Sequence, residues 1–327
     1  MACFITNKIS VSPQQTFLSD SFFSGSANVA EETKLGAVEP NYKETIAEAG
    51  LRRRMSRIVK MGVSAGLACA NGADGVDAII TATGLGCLAD TEKFLDSVVR
   101  NDESLLNPTA FIQSTFNTIG AQIALILKNS SYNVTYAHRG FSFESALLDA
   151  MLRIEDGDAR NVLVGAMDEI TDLSFDVMER LGFWRNGAVM GEGANFFLLS
   201  GSRLSADDVA LVDVATFMNR KEESFGQCVQ VFLSRNNLEI SQIDVLLYGS
   251  SDKSFCLDGI CSEVSEAVDY KQYCGEFPTA SSFAVWLGAE VLKKGTLPCG
   301  KTLDGAKRVL VCTDYQSVNC SLILLEI

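Results

Sequence analysis

The sequence predicts a five-layered α/β protein, α/β/α/β/α, built by internal duplication from two βαβαβαββ-type halves. Short apolar runs typical of buried strands alternate with helical patterns, which indicates mostly parallel sheets covered by helices. Stretches of the second half echo the first, namely residues 243–247 with 76–80, 308–311 with 161–164, and 322–325 with 196–199. Such a repeat indicates a duplicated architecture. We therefore expect two halves, residues 1–203 and 204–327, packed face to face.

The elements of the first half follow from apolar spacing. Residues 3–11 form the first predicted strand, and apolar residues three or four apart predict a long helix over residues 44–70. Residues 76–81 are a short continuous apolar run, which suits a strand buried on both faces. Further patterns predict helices over 91–100 and 110–127, a strand–turn–helix over 133–154, a strand over 161–165 and a strand entered at Gly191.

The second half repeats this order in fewer residues. The patterns predict a strand over 209–214, a helix over 223–236, a strand over 243–247, a helix over 282–294, and closing strands over 308–311 and 322–325. Because the second half is shorter, the first half is expected to carry the longer loops.

Composition excludes several classes of partner. The chain is 47% hydrophobic and 21% charged, which suits a globular protein with a large core. Its net charge of −14 disfavours nucleic-acid backbones, anionic membranes and direct docking of an acidic carrier protein. No apolar run approaches the roughly 20 residues that span a bilayer. The basic cluster Arg52, Arg53, Arg54, Arg57 and Lys60 is either a solvated helix face or an anchor for a phosphate or an acidic partner.

The ten cysteines are scattered, with no CxxC pair, and the protein has a single histidine. A zinc site needs clustered ligands, and the loose spacing of Cys256, Cys261 and Cys274 does not provide them. We therefore expect no metal and no cofactor. Scattered free cysteines are typical of a reducing compartment, and the first residues lack the pattern of a signal peptide. These features predict a cytoplasmic protein.

The stretch from Asn133 to Phe143 organises the candidate site. Residues 134–136 are β-branched or aromatic and predict a strand, while the apolar spacing from Phe143 onward predicts a buried helix. Gly140, between them, can take a positive φ at a sharp turn. This position lies at the positive end of a helix dipole, which lowers the pKa of a thiol and favours a nucleophilic cysteine. No thiol is present there.

Four motifs carry a family resemblance. Residues 187–194 (GAVMGEGA) are close to a Gly-x-Val-x-Gly-Glu-Gly-Ala loop, residues 5–13 run from a strand into Ser-Pro, Asn107-Pro108 precedes a helix, and residues 165–169 (GAMDE) end a strand. In these motifs the chain resembles the thiolase superfamily and, within it, the β-ketoacyl-acyl-carrier-protein synthases. The similarity covers nearly the whole chain and implies the thiolase-like fold of five layers.

The resemblance implies a cysteine nucleophile at the elbow and two histidines in the second half, and this chain has none of them. The cysteine falls on Gly140, the histidine of the family's His-Gly-Thr-x-Thr on Tyr248, and that of its Lys-x-x-x-Gly-His on Phe283. No change of alignment restores them, because residues 88–227 contain no cysteine and no histidine follows His138. We therefore expect no condensation activity, and no enzyme activity by this chain alone.

The first hypothesis is a silent partner subunit, similar to the chain-length factor that pairs with an active β-ketoacyl synthase in type II polyketide systems. The resemblance is to small members from aryl polyene or flexirubin-like pathways of fatty acid and polyketide biosynthesis. Phe111, Gln113, Phe116 and His138 are the tunnel or interface candidates, with ordinary packing as the alternative for the phenylalanines. A dimer is expected because residues 132–137 pair across the two-fold axis in this superfamily. The acyl carrier protein would then be an indirect partner.

Two alternatives remain open. His138 and Ser142 are four residues apart, so they could act as the base and nucleophile of an acyltransferase. A polar residue near a helix start is, however, more often a cap. The other alternative is a stand-alone homodimer that binds an acyl or aromatic ligand without turnover. Tyr248 and Phe283 weigh against it, because they are bulky for an open pocket.

Overall fold

The computed structural model of the protein describes residues 3–28, 33–185, 187–218, 224–250, 259–298 and 300–327. The described strands are β1 (Cys3–Val11), β2 (Lys34–Leu35), β3 (Ala78–Ala82), β4 (Tyr132–Tyr136), β5 (Asn161–Asp168), β6 (Met190–Gly191), β7 (Gly193–Ser200), β8 (Val209–Met218), β9 (Val245–Ser250), β10 (Glu266–Asp269), β11 (Arg308–Tyr315) and β12 (Asn319–Glu326). The described α-helices are α1 (Ser21–Ser24), α2 (Ala49–Arg54), α3 (Arg57–Ala70), α4 (Leu88–Arg100), α5 (Pro108–Ser114), α6 (Thr118–Leu127), α7 (Ser142–Glu155), α8 (Asp172–Arg180), α9 (Phe225–Arg235), α10 (Lys271–Cys274) and α11 (Ser281–Lys294).

The main sheet joins both halves of the chain. Its strand order is β10-β9-β11-β12-β8-β1-β7-β5-β3-β4, so each half contributes five neighbouring strands. The outer pairs, β3 with β4 and β9 with β10, are parallel. The halves meet at the centre, where residues 3–5 pair antiparallel with residues 209–211. Strand β4 therefore lies at one edge of the sheet.

Helices α7 and α11 form the middle layer. Helix α7 contacts β3, β4 and β5 of the first half and β8 of the second, while α11 contacts β1 and β7 as well as β11 and β12. Outside them, α3 and α6 pack on the first half in one apolar cluster, and α9 packs on the second half in another. The layers are thus α/β/α/β/α, and the predicted thiolase-like architecture is confirmed.

The duplication extends to individual hydrogen bonds. The Asp77 carboxylate accepts the backbone N–H groups of residues 160–161 at 2.8 and 3.0 Å. The Asp244 carboxylate accepts those of residues 307–308 at 2.8 and 2.9 Å. Each aspartate precedes the strand that lies second from the outer edge of its half, β3 or β9, and holds it to the start of its inner neighbour, β5 or β11. The echo between residues 76–80 and 243–247 therefore reflects equivalent positions in the two halves.

The long helix predicted over residues 44–70 is wrong. The structure has two helices there, α2 and α3, because Met55 has an extended backbone with φ −77° and ψ 135°. The side chain of Met55 is buried in the outer core of the first half. Ser56, also extended, then precedes α3. Burial of Met55 thus takes precedence over helical continuity.

The helix predicted over residues 110–127 is also two helices, α5 and α6, bent by 97°. The start of α5 follows from its sequence, because the Asn107 side chain accepts the Thr109 N–H at 2.9 Å and Pro108 occupies the first turn. No single helix in the described residues is long and apolar enough to cross a membrane; α5 and α6 together meet the criterion of length and composition only as a bent pair.

Candidate functional site

A cavity of about 480 Å³ lies where the carboxyl ends of β3, β5 and β11 meet. Ligands of open α/β sheets bind at the carboxyl ends of parallel strands, so this position is where a site is expected. Helices α4 and α8 form one wall, and residues from the second half form the other. The apolar lining includes Leu85, Leu95, Leu173, Val177, Trp184 and Phe277.

Tyr248 and Phe283, the predicted replacements for the two histidines, do not line this cavity. Tyr248 is on β9 and packs against the outer core of the second half. Phe283 is fully buried on α11, with its ring centroid 5.6 Å from that of Trp286 and 6.3 Å from that of Phe22. The expectation that these two side chains fill the pocket is therefore wrong. Residues 251–252 of the first histidine motif lie outside the described residues.

Glu276, and not Phe283, lines the cavity. It also occupies the last position of the spacing expected for the second histidine motif. The sequence Lys271-x-x-x-Gly275-Glu276 matches the spacing Lys-x-x-x-Gly-His and carries glutamate at the last position. Lys271 Nζ donates to Glu276 Oε2 at 2.6 Å and to the Asp314 carbonyl oxygen at 2.8 Å. Burial raises the pKa of the Glu276 carboxyl, while the Lys271 ammonium opposes that rise. The sequence analysis missed this residue, although its motif was readable from the spacing alone.

The elbow between β4 and α7 has no space for a nucleophilic side chain at position 140. A Cβ atom at Gly140 would lie 2.7 Å from Tyr315 Cδ1 and 2.9 Å from Asn319 Cβ, distances that real Cβ contacts do not reach. The positive φ predicted for Gly140 belongs to Arg139, whose φ is 53°. Glycine is needed at position 140 because of close packing, and the side chain of Tyr315 occupies the space beside it.

Ser142 and His138 do not form a dyad. Ser142 is fully buried, its hydroxyl accepts the His138 backbone N–H at 2.8 Å, and its other neighbours are the carbonyl oxygens of Thr83 and Arg139. The His138 ring is instead 3.1 Å from the Ser145 hydroxyl, through Nδ1. Ser142 therefore stabilises the elbow, and the geometry gives it no base.

Asp168, at the end of β5, holds the floor of the cavity together. Its carboxylate accepts the Thr83 hydroxyl and the backbone N–H groups of residues 84 and 85, and it accepts both the N–H and the hydroxyl of Thr279. Burial raises the pKa of Asp168 to about 6 and that of its neighbour Glu169 to about 7. The five donors oppose the rise at Asp168, because they favour its ionised form.

The loop containing residues 187–194 joins the two halves beside the cavity. Glu192 accepts two hydrogen bonds from the Arg57 guanidinium at 2.5 and 2.6 Å and the N–H groups of Ala37 and Ile170. A Cβ at Gly191 would lie 1.8 Å from the Cys274 carbonyl oxygen, so only glycine permits this backbone approach. The match to the family's glutamate–glycine loop thus has a structural cause, and Arg57 of the basic cluster has an internal partner.

The predicted tunnel or interface residues lie near the surface. Phe111 is 55% exposed and Phe116 is 49% exposed, with the Phe116 ring against Gly86. Gln113 donates its Nε2 to the carbonyl oxygen of Arg54, and the exposed His138 ring lies 5.7 Å from that of Tyr136 on β4. The structure therefore places His138 next to the edge strand and the phenylalanines on α5 and the turn that follows it.

The edge strand β4 is flanked by exposed apolar side chains. Helices α6 and α7 both contact β4. Leu125 on α6 is 70% exposed and Leu152 on α7 is 56% exposed. An edge strand with apolar neighbours is a template for pairing with another chain.

The described residues contain no group of three or more His, Cys, Asp or Glu side chains arranged to hold a metal ion. Among the described residues, the groups near the cavity are one ion pair and separate carboxyls, each held by hydrogen bonds. These groups can bind and orient a ligand, and none of them is a nucleophile with an adjacent base.

Comparisons with known proteins agree with this fold. The sequence model described as "Beta-ketoacyl synthase, N-terminal domain" matches residues 30–239. A search of curated proteins by sequence found no match.

Three similar solved structures contain ketosynthases. The ishigamide ketosynthase/chain length factor has a TM-score of 0.79 at 16% identity, covering 100% of this chain and 99% of that chain. A type II ketosynthase solved with its acyl-carrier protein has a TM-score of 0.79 at 12% identity, covering 99% of this chain and 99% of that chain. The ketosynthase in complex with its chain length factor from Xenorhabdus doucetiae has a TM-score of 0.74 at 14% identity, covering 100% of this chain and 98% of that chain. At these identities the likeness shows the fold.

Proposed function

Because the chain belongs to the beta-ketoacyl synthase family, we propose that it is a catalytically silent subunit that pairs with an active ketosynthase. The observation that carries this proposal is the elbow, where Gly140 stands in place of a nucleophile and Tyr315 packs against it. With a single histidine in the whole chain, at position 138, neither imidazole of the family's second half is present. The scaffold is retained without its reacting groups, so shape is its contribution.

Pairing is proposed to occur through the β4 edge. The strand is open on one side, and Leu125 and Leu152 present apolar surface on the helices that flank it. Burial of such surface, together with strand pairing, would stabilise a dimer. The solved complexes of ketosynthases with chain length factors support an active ketosynthase as the partner. A homodimer is the competing arrangement.

The proposed role in the dimer is steric. Phe111 and Phe116 are half exposed near α5, so a partner subunit would cover them. Aromatic rings at that place can close the partner's acyl tunnel and limit the length of the chain that grows in it. Gln113 contacts the α2 carbonyl of Arg54 and would hold α5 in position.

The proposed setting is polyketide or fatty acid biosynthesis of the aryl polyene type. The type II polyketide synthase named for one of the similar structures supports the polyketide part. The acyl carrier protein would reach the complex through the active subunit, because this chain carries a net charge of −14. We also propose a cytoplasmic location, which is consistent with free cysteines at positions 3, 69, 87, 274, 312 and 320.

The test is reconstitution of this chain with an active ketosynthase and an acyl carrier protein from the same organism. We expect the chain alone to give no malonyl-dependent extension, and the ketosynthase to co-purify with it and to make products of defined length. Gel filtration of the chain with and without the ketosynthase measures the pairing. Extension by the chain alone, or a homodimer that ignores the ketosynthase, would overturn the proposal.

A further inference from the structure

Strand β8 has an open edge over most of its length. It pairs with β12 from Ala210 to Met218, whereas β1, on its other side, pairs only with residues 209–211. The part of β8 beyond residue 211 therefore has a neighbouring strand on one side only. Such an edge presents backbone N–H and C=O groups to which another chain can bind.

The alternation of hydrogen bonds along an antiparallel pair identifies the residues that face this edge. The Val214 N–H donates to the Asp213 carboxylate at 2.9 Å, and the Val214 carbonyl oxygen accepts from Arg235 at 3.2 Å. Both groups thus point away from β12. The register with β12 continues from there to the end of β8 without a shift, so Thr216 and Met218 have the same orientation. Among the described residues, none outside β12 bonds their backbone groups, and both side chains are exposed.

The first half contains a counterpart of Thr216. Ser10 on β1 pairs with the residue that precedes 196–199, and Thr216 pairs with the residue that precedes 322–325. Those two stretches echo each other in the two halves. Ser10 is therefore equivalent to Thr216, and Ser12, two residues further on, is equivalent to the last residue of β8.

The first half covers its equivalent edge with its own chain. The Ser10 carbonyl oxygen accepts the Thr16 hydroxyl at 3.1 Å, and the Ser12 carbonyl oxygen accepts the Val38 N–H at 2.8 Å. Both donors belong to the long connection between β1 and α3. The second half joins β8 to α9 through residues 219–224 alone, and their sequence is polar. This connection is too short to supply an equivalent cover, because it already has to link the strand to the helix.

A groove of about 420 Å³ lies beside the open edge, between β8 and α9. Ala215 and Phe217 line it from β8, Phe232 lines it from α9, and Leu322 lines it from β12. Because side chains alternate along a strand, the two β8 residues face the groove while the residues between them direct their backbone to the edge. An edge strand next to an apolar groove is suited to an extended peptide, since the edge supplies backbone hydrogen bonds and the groove accepts alternate side chains.

From these observations we propose that the β8 edge binds an extended peptide segment of a partner protein. The segment pairs with the backbone of Thr216 and Met218 and places an apolar side chain in the groove. The first half indicates this chemistry, because there the equivalent edge is bonded by the chain itself and apolar residues such as Tyr42 and Ile46 pack in the adjoining core. A second copy of the chain is disfavoured as the occupant, since each copy has a net charge of −14.

The proposed peptide site is separate from the proposed pairing surface for a ketosynthase. Strand β4 lies at one end of the main sheet, and β8 lies in the other half. Peptide binding therefore needs no ketosynthase, and its failure would leave the proposed pairing unaffected.

The experiment is fluorescence polarisation of the full chain with a fluorescein-labelled peptide of sequence KTVLVTK. The matched control is the same peptide N-methylated at its five central residues, which keeps the charge and the apolar side chains but removes the backbone donors. The control is expected to bind at least tenfold more weakly, an effect of about 1.4 kcal/mol. Equal binding of the two peptides would exclude strand pairing.

Hydrogen exchange followed by mass spectrometry locates the bound peptide. Residues 212–218 are expected to gain protection, because their edge amides become bonded. The strands at the two ends of the main sheet, β4 and β10, are expected to exchange as in the free chain. Protection of β4 or β10 in place of β8 would overturn the assignment.

A variant addresses the groove separately from the edge. Ala215→Leu fills part of the groove and leaves the edge backbone unchanged, so it is expected to weaken binding of KTVLVTK at least about fivefold. Ala206→Leu is the matched control, because it makes the same change at an exposed position before β8. Absence of peptide binding to the native chain, or equal weakening by the control, overturns the proposal. Sedimentation velocity without peptide tests the other occupant: a dimer that Ala215→Leu dissociates would assign the edge to a second copy and contradict the proposal.

Discussion

Lys271 Nζ and Glu276 Oε2 lie 2.6 Å apart, and each side chain is 6% exposed. The pair connects the residue in the family's histidine position to β11, because Lys271 also donates to the Asp314 carbonyl oxygen. A buried ion pair of this kind offers little net stability compared with apolar packing. Loss of one partner is nevertheless unfavourable, because it leaves the other charge buried without a counter-charge. Lys271 and Glu276 thus have the spacing of the Lys-x-x-x-Gly-His motif that the resemblance implies, with a carboxylate at its last position.

Removing one partner of this ion pair is expected to lower the free energy of unfolding strongly. Removing both partners together is expected to lower it much less. Lys271→Met and Glu276→Gln should each lower the free energy of unfolding by about 3 kcal/mol, because each leaves a buried ionisable group without its counter-charge. The double variant should recover much of that loss. Urea denaturation of all four proteins gives the coupling energy.

The control for the ion pair is Asp96→Asn, which removes the exposed Asp96–Arg100 pair on α4. That change should cost less than about 0.5 kcal/mol. Strictly additive losses in the Lys271 and Glu276 variants would show that the two side chains do not depend on each other.

A cysteine introduced at the elbow is expected to remain silent. Gly140→Cys places a Cβ against Tyr315 and Asn319, so it should lower the free energy of unfolding by about 1–3 kcal/mol through overpacking. It should give no malonyl-dependent extension, because neither histidine is present. Gly50→Ala is the matched control, since a Cβ there meets nothing closer than 3.7 Å. Extension by the cysteine variant alone would refute the silent assignment.

The sequence predicted the layers well because buried strands leave a clear trace. Strand β1 has the predicted bounds, and the start of β5 is as expected because a strand buried on both faces reads as a continuous apolar run. The break at Met55 was not predictable, because it depends on a core formed by distant residues. The same holds for Gly140, whose packing against Tyr315 is a tertiary contact. Glu276 is different, since the spacing Lys271-x-x-x-Gly275-Glu276 can be read directly from the sequence.

The cavity itself left no usable signal in the sequence. Helix α8 was not predicted, and its residues Leu173, Val177 and Leu181 are exposed at the mouth of the cavity. A helix whose apolar residues face a pocket lacks the simple division into a buried and a solvated face that periodicity detects.

Stability is expected to fall as pH rises through neutrality. Burial raises the pKa of Glu169 from 4.5 to about 7, so the native state holds a proton that the unfolded chain has released. The resulting stabilisation is complete below about pH 4.5 and is lost as pH rises through about 7, an effect of about 3 kcal/mol. Asp168, raised to about 6, acts in the same direction.

Urea denaturation at pH 4.5 and 8 measures this effect. Glu169→Gln stays neutral and can still accept the Ala89 N–H, so its free energy of unfolding should change less between the two pH values. Glu179→Gln, an exposed position on α8, should behave like the native chain. An unchanged pH dependence in Glu169→Gln would exclude Glu169 as its source.

Charge on the β4 face is expected to prevent pairing. Leu125→Glu places a carboxylate on α6 beside the edge strand, where burial in an interface would be unfavourable. Co-purification with the ketosynthase should fall at least tenfold. Val231→Glu is the matched control, because Val231 on α9 is 69% exposed and lies on the other half. If both variants keep the partner, another surface mediates pairing.

Removal of the Phe116 ring is expected to change the product of the reconstituted pair without unfolding this chain. The ring is half exposed and lies against Gly86, so Phe116→Ala should lower the free energy of unfolding by no more than about 2 kcal/mol. If the ring closes the partner's tunnel, the space it leaves admits a longer acyl chain. Mass spectrometry of the released products measures this, with Val231→Ala as the control. Identical product lengths from the native and Phe116→Ala pairs would assign Phe116 to packing.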